Sequence, residues 1–126
     1  MKSKSILAAI ILMITCVGVR AEQLPYTDAA FDKLVENGKS VLIVVHAGWC
    51  PTCRAQGPII NELLDEKEFT DITALRINFD TQKPALKAFN ARQQSTLISF
   101  KGKKEVGRSV GDTNKASIKK LLLNSL

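Results

Sequence analysis

The sequence is poor in the residues from which metal centres and disulfide scaffolds are made. Its 126 residues hold three cysteines, Cys16, Cys50 and Cys53, and one histidine, His46. A structural zinc site normally takes four N or S ligands, and one of these four, Cys16, lies in the apolar N-terminal stretch, so residues 22–126 keep only three. Internal repeats and low-complexity linkers are also missing, which excludes solenoids and beads-on-a-string organisation. The longest apolar stretch, residues 6–19, is 14 residues long, against the roughly 20 needed to cross a bilayer.

That stretch has the character of an address. Lys2 and Lys4 precede it, and Val19-Arg20-Ala21 follows with the small-x-small pattern of a cleavage point. Residues 1–21 are therefore expected to be a signal peptide cut after Ala21, with residues 22–126 as one domain. The alternatives are a membrane anchor, for which the run is short, and lipid modification of Cys16, which Met13-Ile14-Thr15 disfavours. Cleavage removes Cys16 and three basic residues, Lys2, Lys4 and Arg20, taking 18 basic residues to 15 against 12 acidic ones. A net charge near +3, scattered along the chain, gives no footprint for nucleic acid. The basic run from Lys101 to Lys104 reads as a solvated hairpin turn.

The two remaining cysteines stand in Trp49-Cys50-Pro51-Thr52-Cys53, between an apolar run at 41–47 and an amphipathic segment starting at Cys50. One helical turn brings i and i+3 together, so both sulfurs meet at a helix N-terminus, with Cys50 expected outside and Cys53 inside. Unsatisfied N–H groups and the positive end of the helix dipole stabilise a thiolate at Cys50 and raise the fraction able to attack. Pro51 fits the first turn, where no helical hydrogen bond is lost. Attack by Cys50 on a disulfide followed by resolution through Cys53 is the chemistry this spacing suits. A purely structural bond is disfavoured, because closing a four-residue loop stabilises by only about 2 kcal/mol on the chain-entropy view. The site is then a redox-active disulfide with no further cofactor. A thiol-based metal or Fe–S module, or a non-catalytic peptide-binding domain, stands as the alternative.

The rest of the chain alternates helical and extended patterns. Thr27 caps a helix that Asn37-Gly38 stops, and 41–45 reads as a strand buried on both faces. A helix is expected from Cys50 to about 68, with Pro58 kinking it. A strand at 72–79, a short helix at 84–89, strands at 96–100 and 105–109 joined at Gly102, and a last helix capped by Thr113 or Asn114 complete the order. His46 ends the first strand. It either packs there or helps move protons for Cys53.

In this order of elements the chain resembles the thioredoxins over nearly its whole mature length. The resemblance rests on Trp49-Cys50-Pro51-Thr52-Cys53, on Pro58 five residues after the second cysteine, on Arg76-Ile77-Asn78-Phe79-Asp80, on the hairpin from Phe100 to Arg108, and on Gly111. It implies an α/β thioredoxin fold, a central mixed sheet flanked by helices on both faces, acting as a monomeric protein-disulfide oxidoreductase. The Pro-Thr pair also resembles exported thioredoxins that reduce apocytochrome thiols. An exported reductase needs electrons from a membrane-embedded thiol carrier. By the same resemblance, substrate is met by Trp49, Pro51, Thr52, Gln94, Ser95 and Thr96.

Two departures from the family pattern carry expectations of their own. Ser95 stands where thioredoxins have a cis-proline, so a trans Gln94–Ser95 bond and a reshaped loop are expected, with the Ser95 hydroxyl free to bond a sulfur or a metal. Val44 stands where the family buries an acid. Arg76, resembling that acid's partner, is expected to reach solvent or find another carboxylate, leaving Cys53 to lose its proton to water or His46.

Overall fold

A computed structural model describes residues 22–126; the expected signal peptide lies outside the described residues. The organising strand is β2, Ser40–His46, whose residues Val41 to Val45 are all buried. An apolar run that is β-branched but for Leu42 suits a strand covered on both faces, and fully burying each such side chain stabilises by roughly 1.5–3 kcal/mol. Around it lie β1 (Leu24–Pro25), β3 (Thr73–Asn78), β4 (Thr96–Lys101) and β5 (Lys104–Val110), in the sheet order β1-β3-β2-β4-β5. β1, β3 and β2 run parallel, while β4 lies antiparallel to β2 and to β5. β1 carries no pattern in the sequence, being two residues long, exposed, and half proline.

Alternation along β2 divides the core. Val41, Ile43 and Val45 join Phe31, Phe89 and Phe100 on the face covered by α1 (Asp28–Glu36) and α3 (Lys83–Ala88). Leu42 and Val44 join Ile60, Leu63, Ile118 and Leu122 on the face covered by α2 (Pro51–Leu64) and α4 (Lys115–Leu123). The caps are those the sequence implies: the Thr27 hydroxyl accepts from Ala30 N–H, and Asn114 accepts from Ser117 N–H.

One boundary differs from expectation. α2 ends at Leu64 rather than running to 68, because Glu66 turns extended and a 3-10 turn at Lys67–Phe69 folds Phe69 back into the core, where it is fully buried. At the other end of the chain the hairpin turns at Gly102, whose φ of +55° suits glycine. The Gly102 N–H donates to Lys39 O, and Lys101 donates to the Leu126 carbonyl.

Candidate active site at the head of the second helix

Cys50 is the N-cap of α2, and Pro51 occupies the first helical position. The Cys50 sulfur takes the place of an ordinary capping oxygen, accepting from the Cys53 N–H at 3.1 Å. Negative charge on that sulfur is thereby met by an otherwise unpaired donor at the positive end of the helix. The motif loop is closed behind it by Cys50 N–H to Ala47 O at 3.1 Å.

Both cysteines are free thiols, and each is only 2% exposed. The expectation of an outer and an inner thiol is thus corrected. Cys50 packs with Ala47 and Cys53 against Phe79, so its surroundings shield it as fully as those of its partner. The two differ in electrostatics. Burial pushes the Cys53 thiol above its ordinary range, with the hydrogen bond to Cys50 adding to the effect. Two backbone amides, of Ala47 and Ser95, lie against the Cys53 sulfur and pull the other way. The Val45 carbonyl lies 3.9 Å from the Cys53 sulfur. Once Cys50 is tied up in a mixed disulfide its charge is gone, and one of the effects holding the proton on Cys53 goes with it.

Ser95 is the unusual residue beside this pair. No cis peptide bond occurs among the described residues, in line with the trans linkage expected from the absence of proline. Ser95 instead adopts φ +57°, a left-handed conformation that non-glycine residues occupy rarely. The surroundings over-determine it: its N–H donates to Val45 O at 2.9 Å, and its carbonyl accepts from Gly111 N–H at 3.0 Å. The Ser95 backbone amide approaches Cys53, and no hydrogen bond joins the Ser95 hydroxyl to either sulfur among the described residues.

Gln56, not singled out by the sequence, fixes this loop. It is 1% exposed on the inner face of α2, in register with Cys53, Ile60 and Leu63. Its amide nitrogen donates to Ser95 O at 3.2 Å and to Asp112 O at 2.8 Å, joining the helix to the loops before β4 and after β5. Its oxygen has no protein partner among the described residues. The signal available was a glutamine at a helix position whose periodicity demands an apolar side chain.

The other expected contact residues divide by accessibility. Trp49 is 57% exposed, its ring set edge-on to Phe79 and its indole N–H shared between both oxygens of Asp80 at 3.1 Å. Pro51 is exposed, and Thr52 and Gln94 are half-buried. Ser95 and Thr96 are buried, the Ser95 N–H and carbonyl are both hydrogen-bonded within the fold, and the Thr96 hydroxyl donates to Gln93 O, so Trp49, Pro51, Thr52 and Gln94 are the accessible members of the set.

No hydrogen bond joins His46 to either cysteine among the described residues, and its ring lines a pocket with Gln23, Arg76 and Asn78. Burial, then the Arg76 charge, holds its pKa below the ordinary 6.5. Of the two outcomes expected for Arg76, solvent or another carboxylate, its half-buried side chain keeps partial access to solvent, and its Nε donates to the amide oxygen of Gln23 at 3.1 Å. Among the described residues, no three His, Cys, Asp or Glu side chains gather as metal ligands.

The thioredoxin family model matches residues 22–124. The thioredoxin of Mycobacterium tuberculosis is 33% identical over 93 residues, which cover 73% of this chain and 79% of that relative. The thioredoxin of Alicyclobacillus acidocaldarius is 30% identical over 100 residues, covering 79% of this chain and 94% of its own. Among solved structures, Trxlp from Edwardsiella tarda superposes with a TM-score of 0.78 at 40% identity, over 80% of this chain and 98% of that one. With a dithiol at the head of α2 and a mixed five-stranded sheet beneath it, the chain belongs to the thioredoxin family of thiol–disulfide oxidoreductases.

Proposed function

We propose that this protein is an exported reductase of protein disulfides, with Cys50 as nucleophile and Cys53 as resolving thiol. The observation that supports it most directly is the capping of Cys50 Sγ by the Cys53 N–H, which prepares one sulfur of the pair for attack. Cys50 thiolate displaces one sulfur of a client disulfide, forming a mixed disulfide and releasing a client thiolate that takes up a proton. Cys53 then loses its proton and attacks Cys50 Sγ, which forms the internal disulfide and frees the second client thiol. Two electrons and two protons pass to the client. A membrane-embedded dithiol carrier returns them.

Export rests on the sequence of residues 1–21, and the basic start, apolar core and Val19-Arg20-Ala21 support cleavage after Ala21. N-terminal sequencing of the secreted protein checks this: Glu22 as the first residue is the expected result. Trp49, Pro51, Thr52 and Gln94 form the surface offered to the client.

The deciding experiment is the reduction potential of the Cys50–Cys53 couple, by equilibration in dithiothreitol and glutathione buffers. A value near about −270 mV fits a reductase, and one near about −120 mV makes the protein a donor of disulfides. In parallel, Cys50→Ser abolishes disulfide reduction and Cys53→Ser accumulates a covalent mixed disulfide. Turnover retained by Cys50→Ser removes it as the nucleophile.

A further inference from the structure

We propose that the pocket at the outer edge of the sheet, between β1, β2 and β3, is an oxyanion-binding site that takes a carboxylate or a similar small anion. The cavity measures about 340 Å³ and is lined by Gln23, Pro25, His46, Arg76, Asn78 and Gln82. It lies apart from the thiols. The register of the parallel strands pairs Val44 with Arg76 and His46 with Asn78, so the latter three rise from one face of the sheet side by side.

Hydrogen-bonding groups around the pocket are unevenly engaged. The acceptors of the pocket are taken: Gln23 Oε1 accepts from Arg76 Nε, Gln82 Oε1 from the Asn78 N–H, and Asn78 Oδ1 from the Asp80 and Thr81 N–H groups. The donors are not. Arg76 uses only Nε, leaving both terminal nitrogens without a protein partner among the described residues, and the Asn78 amide nitrogen and the His46 ring are likewise unpartnered there. No carboxylate lines the cavity. A guanidinium half-withdrawn from water, beside an amide donor and an imidazole, is a receptor for a planar or tetrahedral oxyanion, and such charge-assisted bonds are the stronger kind.

The walls are held in place. Gln82 is fixed by its amide nitrogen to Tyr26 O at 3.1 Å, and Gln23 by its own to Asn61 of α2 at 3.1 Å. The donors are thus set before any ligand arrives, which lowers the ordering cost of binding. The anion has two possible sources: a free small acid, or an acidic side chain of a client protein docked beside Trp49, whose anchor Asp80 is two residues from Asn78.

His46 is the single histidine of the chain, so its ring C–H resonances in a proton NMR spectrum need no assignment. The test titrates the reduced protein with sodium sulfate and sodium acetate against sodium chloride at equal ionic strength. Saturable shifts of the His46 resonances with sulfate or acetate but not chloride, together with a higher His46 titration midpoint, are expected. By linkage, lowering the pH through that midpoint must tighten anion binding by the same factor. Arg76→Gln is expected to abolish the saturable shift. Asn78→Asp, a second variant that keeps the acceptor for Asp80 and Thr81 while adding an opposing charge, is expected to weaken it at least about tenfold.

A peptide pair differing only in one Glu or Gln beside a reduced cysteine separates the sources. A Glu peptide that moves His46 at lower concentration than acetate assigns the site to client carboxylates, and the reverse order assigns it to free anions. Shifts that merely follow ionic strength, or that persist in a folded Arg76→Gln protein, overturn the site. None of these readouts depends on disulfide exchange.

Discussion

The two faces of the sheet are packed by different rules. Beneath α1 and α3 lies an aromatic cluster in which Tyr26, Phe31, Phe89 and Phe100 meet largely edge to face, at centroid separations from 5.0 to 6.2 Å. Beneath α2 and α4 the filling is aliphatic apart from Phe69, and polar groups are buried within it: Gln56, and Ser99 with its hydroxyl unpartnered. Edge-to-face aromatic pairs add about 0.5–1.5 kcal/mol beyond area burial, whereas an unpaired buried polar atom costs about 1–3 kcal/mol. Ring packing marks one face, and the groups that set the loop around the thiols lie on the other.

The largest effect that separates the faces should come from Phe89→Ala. Loss of a ring touching Tyr26, Phe31 and Phe100 is expected to destabilise by about 3–5 kcal/mol. Activity per folded molecule should stay near wild type, so denaturant melts and kinetics on the same sample must diverge. If kcat/KM falls in proportion to stability, the two faces are not independent.

Gln56→Leu should give the converse pattern. The Asp112 carbonyl loses the donor described here and Ser95 O loses one of two, while the unpaired Gln56 oxygen also disappears. These changes oppose one another, and the net stability change is expected to stay within about 2 kcal/mol. The loop, released from the helix, should instead show a raised KM for protein disulfides and a shifted potential. An unchanged KM would confine Gln56 to packing.

Substitutions at Ser95 probe the same loop through its backbone. Ser95→Val places a β-branched side chain at φ +57° and should destabilise by about 1–3 kcal/mol, whereas Ser95→Gly should stay within about 1 kcal/mol of wild type. Equal melting points for the two variants would mean that the left-handed conformation is not held in solution.

The smallest effect concerns pH. Because the folded state holds His46 below its ordinary pKa of 6.5, the unfolded chain binds the proton more readily in that range. Stability therefore rises with pH through this window, is fully present above about 6.5, and declines as pH falls towards the lowered folded value. His46→Gln should flatten that slope while leaving the pH dependence of disulfide exchange as it was. A change in the exchange profile would restore His46 to proton transfer from Cys53.

What the sequence made legible was local. The thiol spacing, the caps at Thr27 and Asn114, and the doubly buried β2 all rest on residues within a few positions of one another, where propensity and periodicity act. What escaped it joins distant positions: Gln56 to Ser95 and Asp112, Gln23 to Arg76, and two residues of β1 to β3. Arg76 shows the reason. Its charge and strand position could be read, but an amide partner 53 residues away could not. The equal burial of the two cysteines was hidden in the same way, since Phe79, which packs over them, comes from the neighbouring strand end.

Trp49 is the chain's only tryptophan. It adjoins Cys50 in sequence, stands more than half exposed, and has its indole N–H anchored on the Asp80 carboxylate. An emitter fixed at that spot sits where sulfur changes its bonding and where a client must land, with no second indole to blur the signal. The protein consequently carries its own optical probe: unlabelled stopped-flow fluorescence should resolve client docking, mixed-disulfide formation and release as separate phases.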